Sequence, residues 1–445
     1  ACGDTSTPEP GAVGDPTTST TAATGDGGWL DGSPADADDE FAPERSTEFD
    51  AVDGAAAETA VDAAEPGGPV SPPGEEVPIE PPPDQGPLTA GSVDDNADFA
   101  GYLDYRARIA ELGIPVRDLD VSVRHVVVVT GANGLPVAGE TIEVLADGAS
   151  VGVARTGADG RALIHPLALG AAPGAVVELT VGEQTVAPVA EGVTEVTLER
   201  DGGAAAPVAL DVFFVLDATG SMSDELDRLT ATVTDVAGRI ADLEGAPDVR
   251  LGMTVYRDEG DAFVTRTFDF TGDVAAFQAA LAEVRADGGG DTPEALDEAL
   301  AAALSEPAWR EPATTVQLAF VLADAPPQIG RQVEVPYDAA LLDAAARGVR
   351  IFPVASSGAD DQAEYVFRQL AQFTGGRFVF LSYGVGGVAL GEDSDITAVD
   401  YEELPLEDLL VRLVAEELAA LTGGDTPVPP PESTTTTIDP GQQQD

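Results

Sequence analysis

The stretch Val212-Phe213-Phe214-Val215-Leu216-Asp217-Ala218-Thr219-Gly220-Ser221-Met222 restricts this chain more than any other. Its opening apolar run, β-branched or aromatic except for Leu216, suits a strand covered on both faces, as in a parallel sheet. The run stops at a carboxylate, and a loop with two hydroxyls follows. Beyond it Met222, Leu226, Leu229, Val233, Val236 and Ile240 recur at the three- and four-residue spacings of an amphipathic helix. A strand that ends in Asp-x-Thr-x-Ser before a helix gathers hard oxygen ligands at the carboxyl edge of a sheet, where open α/β folds bind their ligands. Mg²⁺ suits such a site, because it takes a few carboxylates and hydroxyls and keeps open positions. A helix start accounts for the same residues: Ser221 would be the N-cap, Asp224 would complete a capping box, and Asp217 would be an ordinary strand end. On this stretch alone both readings stay open.

Composition narrows the function classes. The chain has 445 residues, room for two or three domains, and a net charge of -59. All 21 basic residues are arginine, which excludes the lysine-bearing phosphate loop, Schiff-base chemistry and a basic nucleic-acid footprint. So acidic a surface suits a salt-rich habitat, where screening acts within about 3 Å at molar ionic strength. With two histidines and one cysteine a zinc site is not expected. No apolar run reaches the length of a membrane span. The single cysteine, Cys2, lies in Ala-Cys-Gly-Asp and looks like a cut bacterial lipobox, with the signal peptide removed and Cys2 as the lipid anchor.

Residues 1–96 carry 22 acidic residues against one basic, Arg45, among Pro, Gly, Ser and Thr. So little apolar surface cannot offset ordering entropy, and the segment is expected to be a disordered acidic tether. A short helix or linker over 97–116 follows, with Phe99, Leu103, Ile109 and Leu112 on one face and Gly113 as its stop. From 117 to 200 the pattern becomes seven short alternating runs punctuated by Asn133-Gly134, Asp147-Gly148 and Asp159-Gly160, which predicts a small antiparallel β-sandwich. His125 and His165 are expected to be structural there. From 207 to 422 strands alternate with helices, predicting a doubly wound, mainly parallel α/β sheet in which Arg250–Phe270 forms a hairpin with one antiparallel edge. Residues 423–445, with Pro429-Pro430-Pro431 and Thr434–Thr437, are expected to be a disordered tail.

Two further loops belong at the same sheet edge. Leu318–Asp324 repeats the first pattern, a buried apolar strand ending in a carboxylate. Gly288-Gly289-Gly290-Asp291-Thr292-Pro293-Glu294 is a glycine-rich loop opening a helix, with Pro293 suited to its first position. These motifs, with Asp217–Met222, Tyr256–Asp261 and Ala323–Pro327, together resemble a von Willebrand factor A domain over residues 208–422. The segments Gly134–Gly139 and Thr156–Ala162 resemble bacterial Ig-like or carboxypeptidase-regulatory-like modules, which serve mostly as spacers.

The von Willebrand resemblance implies a metal-ion-dependent adhesion site with one Mg²⁺, or Mn²⁺ or Ca²⁺. Asp217, Thr219 and Ser221 match its first loop, with Thr219 in place of a serine, and Asp324 matches its second acid. The third-loop ligand falls on Asp291 or Thr292. It also implies a partner, a protein or extracellular polymer, that supplies an acidic group to the metal. An extra carboxylate at Asp291 would raise metal affinity while lowering the positive charge offered to such a partner. No nucleophile paired with a base is discernible, so the chain reads as a binding protein and not an enzyme. The expectation is a cell-envelope lipoprotein, membrane-anchored through lipid on Cys2, that binds its partner through a divalent cation and does not bind nucleic acid. The alternative is an envelope scaffold in which the metal is only structural.

Overall fold

The computed structural model describes residues 88–190, 192–203, 207–243, 247–290, 292–382, 401–421 and 434–435. Cys2, Asp291 and residues 1–87 of the expected tether lie outside the described residues. Strand Ala209–Asp217 is buried at every position but its first. It pairs in parallel with Asp248–Tyr256 on one side and with Thr315–Ala323 on the other. Arg350–Ala355 and Phe378–Ser382 continue the parallel order. The expected hairpin forms one edge, with Thr265–Thr271 antiparallel to Asp248–Tyr256.

Successive side chains of the central strand point to opposite faces, and each face has its own core. Val212, Phe214 and Leu216 pack with Leu226, Val233, Phe277 and Leu410 of helices Ser223–Ala241, Val274–Leu281 and Leu406–Leu421. Phe213 and Val215 join the cluster that holds Tyr105, Leu300, Leu341 and Val366, from helices Phe99–Leu112, Leu296–Ser305, Tyr337–Arg347 and Asp361–Thr374. This helix-covered mixed sheet is the fold of the larger part of the chain.

The other edge corrects the tether and tail boundaries. Thr89–Val93, inside the stretch expected to be tether, is a strand antiparallel to both Phe378–Ser382 and Glu402–Pro405. Thr434–Thr435, inside the expected tail, pairs with Glu402–Glu403. The runs are short and weakly apolar, so their order comes from the sheet edge they complete and not from local pattern. Helix Phe99–Leu112 is likewise no linker. It is capped by the Asp98 carboxylate and stopped by Gly113 at φ 71°, and it buries Tyr102, Tyr105 and Ile109 in the core. Arg368, buried in the same layer, pairs with Asp95 at 2.6 Å and Glu364 at 3.2 Å.

All seven β runs between 117 and 200 are strands, in a three-stranded and a four-stranded sheet that share one apolar cluster. Two expectations about them change. The pairing of His125–Thr130 with Val193–Thr197 is parallel, so the arrangement is not purely antiparallel. Nor do the strands stand apart, since the described residues form one compact unit. Arg155 Nε donates to the Ala346 carbonyl at 3.0 Å, Arg350 pairs with Asp159 at 2.6 Å, and the His165 ring stacks on Phe373 at 5.1 Å. Burial pushes His165 down to about 3, so a neutral imidazole packs there.

Candidate metal centre at the sheet edge

The register places the first two motifs side by side. Leu216 is level with Leu322, so Asp217 and Asp324 leave adjacent strands at the same end. The chain runs from Ala209–Asp217 to a neighbour on one side and later returns to the other, which makes this gap the topological switch point of the sheet.

The Asp217 carboxylate is fully buried. Its Oδ1 accepts from the Thr219 backbone N–H at 2.9 Å and from the Thr219 hydroxyl at 2.7 Å. Its Oδ2 accepts from the Tyr256 hydroxyl at 3.1 Å. Thr219 Oγ1 lies 3.1 Å from Ser221 Oγ, and the Ser221 hydroxyl donates to the Asp324 carboxylate. The helix-cap reading of Ser221 fails, because the N-cap of Ser223–Ala241 is Met222 and no side chain caps that turn. Ser221 is exposed, whereas Asp217, Thr219 and Asp324 are buried behind it, so the hydroxyl end opens to solvent.

The glycine loop closes over this group. Gly220 N donates to the Gly288 carbonyl at 3.1 Å, and Gly289 N donates to Asp261 Oδ2 at 2.8 Å. Both glycines have positive φ, and a Cβ on Gly288 would sit 2.3 Å from the Asp261 carboxyl carbon. A side chain at Gly289 would meet Glu294 Oε1 at 3.0 Å and Thr219 Cβ at 3.2 Å. Only glycine allows that approach. The helix that follows begins at Leu296, so Pro293 is not its first residue. Thr292 is exposed and, among the described residues, hydrogen-bonded to none of the group. The structure therefore brings together Asp217, Thr219, Ser221 and Asp324 of the expected ligands, but not Thr292.

Three side chains not expected at the site surround it. Tyr256, level with Asp217 in the register, orients that carboxylate. Glu225, one helical turn beyond Ser221, accepts from the Ser357 backbone N–H at 3.2 Å and from its hydroxyl. Glu294 is buried, with Oε2 lacking a partner among the described residues. The signal for Glu294 was present in the Gly288–Glu294 motif, but a glutamate at a helix start reads first as a favourable dipole charge.

The electrostatics follow from this crowding. Burial and then the neighbouring Asp324 push Asp217 up to about 7. Burial followed by Asp217 pushes Glu294 up to about 8. Burial also raises Asp324, whose Oδ1 has no hydrogen-bond partner among the described residues. Acids that resist ionising together, with acceptor atoms left unused beside hydroxyls, fit a small hard cation. Among the described residues no three His, Cys, Asp or Glu side chains form a metal-holding group, so the fit depends on the hydroxyls. Asp217, Thr219, Ser221 and Asp324 are the residues that could hold such an ion, with Glu294 beside them.

Residues 211–382 match the von Willebrand factor type A domain family. Helix Leu406–Leu421 lies beyond that match and packs into the same core. No curated protein matches the chain in sequence. Among solved structures, the conserved hypothetical protein BatB from Bacteroides thetaiotaomicron is similar at 14% identity, over 48% of this chain and 100% of that one, with a TM-score of 0.32.

Proposed function

We propose that the von Willebrand factor A domain at residues 211–382 is a non-enzymatic binding module that engages a protein or extracellular polymer through a divalent cation. The observation that supports this most directly is the unpartnered Asp324 Oδ1, buried beside the Asp217–Thr219–Ser221 hydrogen-bond chain. A bound Mg²⁺ or Mn²⁺ would supply positive charge between the two acids and an open coordination position for an oxygen of the partner. The chain's own residues do the rest. The Thr219 and Ser221 hydroxyls donate to the carboxylates and keep oxygen lone pairs for the ion. Tyr256 holds Asp217 in place, and the Gly288 carbonyl, accepting from Gly220 N–H, fixes the hydroxyl loop. The two small sheets, read as an Ig-like or regulatory-like spacer, and a lipid on Cys2 would present the domain at the cell envelope. With its lipoprotein leader, wild-type protein should partition into detergent and Cys2→Ser protein into the aqueous phase; equal partition would sink the anchor.

Glu294 favours a second reading, an envelope scaffold. One more carboxylate near the ion lowers the charge offered to an acidic partner, which suits a purely structural cation. Retention of envelope proteins on immobilised full-length chain separates the two. Binding through the cation should be lost in chelator and in Asp217→Ala, whereas partners kept under both conditions would leave the scaffold standing.

A further inference from the structure

Opposite the Asp217 edge, at the amino ends of the parallel strands, a cavity of about 620 Å³ lies between the small sheets, the large sheet and helix Leu406–Leu421. Five guanidiniums line it, those of Arg124, Arg155, Arg161, Arg350 and Arg377, against four carboxylates, those of Asp94, Asp159, Glu416 and Glu417. An excess of one positive charge stands out in a chain with 80 acidic and 21 basic residues.

Two of the arginines occupy the carboxylates. Arg350 pairs with Asp159 at 2.6 Å and with Glu417, while Arg377 lies 3.5 Å from Asp94 and 3.0 Å from Glu416. Arg161 is exposed and 3.8 Å from Asp159. Arg124 and Arg155 have no carboxylate partner among the described residues. Arg155 donates to the carbonyls of Ala346 and Gly139. Arg124 reaches only Asn96, at 3.3 and 3.4 Å, and stacks on the Phe99 ring at 3.6 Å. A guanidinium stays charged in a protein, and Arg124 borders the space with no carboxylate in contact, Asp94 acting on it only at longer range. Val126, Leu163, Phe352, Phe373 and Leu413 supply apolar wall.

We propose that this cavity binds a small monoanion, a carboxylate carried on an apolar body, with Arg124 holding its charged end. The volume is that of a small-molecule site. A planar guanidinium fork matches a carboxylate in two parallel hydrogen bonds. The four wall carboxylates and the single excess charge disfavour a dianion such as a phosphate monoester.

Calorimetric titration of the full chain with decanoate tests this. Decanoate should bind at one site per chain. Arg124→Gln should weaken it at least tenfold, and decan-1-ol should bind wild type at least tenfold more weakly than decanoate does. Val126→Trp, which fills the cavity and keeps Arg124, should abolish binding while leaving the melting temperature near wild type. Inorganic phosphate should not displace decanoate. Absence of binding at millimolar decanoate, or equal affinity in the wild-type and Arg124→Gln proteins, would overturn the site. Displacement by phosphate would overturn the monoanion assignment.

Discussion

Millimolar Mg²⁺ or Mn²⁺ at pH 8 should raise the melting temperature of the full chain in proportion to the logarithm of free cation. An ion that binds only the folded state stabilises it by about 2.7 kcal/mol at a hundredfold excess over its dissociation constant. For a domain of this size that is roughly 5–10 °C. The effect should depend on pH in a defined sense. In the metal-free protein Asp217 is pushed up to about 7 and Glu294 up to about 8, both above their ordinary values of 3.8 and 4.5. Between those limits the folded chain holds protons that the unfolded chain releases, so stability falls as pH rises through the window. The cation competes with those protons. Its stabilisation should be small at pH 5 and largest above pH 8. Asp217→Ala should remove the cation effect, flatten the pH dependence and leave a folded protein, more stable than wild type in chelator because a buried like-charge contact is gone. Identical melting of wild type in chelator and in millimolar Mg²⁺ at pH 8 would end the metal reading.

A chain begun at Val208, just ahead of the von Willebrand segment, should be severely destabilised, while one begun at Pro87 should match the full chain. The shorter form loses strand Thr89–Val93, which lies between Phe378–Ser382 and Glu402–Pro405, and helix Phe99–Leu112 with its buried Tyr102, Tyr105 and Ile109. It also leaves Arg368, buried against Glu364, without its bidentate partner Asp95. Each large apolar side chain contributes roughly 1.5–3 kcal/mol on burial. The expected loss is therefore about 5 kcal/mol or more, comparable with the whole stability of an ordinary domain. Urea unfolding of the two truncations measures it. Equal midpoints would show that the family segment folds without its amino-terminal flank.

The sequence by itself determined the elements with strong local signals. Val212–Leu216 and Leu318–Ala323 read as strands covered on both faces, since each is a short, continuous apolar run ending in a carboxylate. The 3.6-residue stripe from Met222 to Ile240 fixed the helix between, and glycine-bearing turns marked the seven short strands. Asp217, Thr219, Ser221 and Asp324 were legible as a group because their motifs sit at equivalent strand ends, and parallel pairing brings equivalent ends together.

What tertiary structure decided has no local signature. Thr89–Val93 is an ordinary weak run, and its order comes from the two edges it joins. The separate module expected over 117–200 became part of one unit through ion pairs such as Arg350–Asp159, which sequence spacing cannot reveal across nearly two hundred residues. Ser221 could be a helix cap or a hydroxyl ligand on sequence grounds alone; the fold removes the cap reading, since Met222 is the N-cap, and sets the hydroxyl against Asp324 of the neighbouring strand. Glu294 joined the site for the same reason. A charge beginning a helix is locally unremarkable, and it becomes a third crowded acid only when the glycine loop folds back over Thr219.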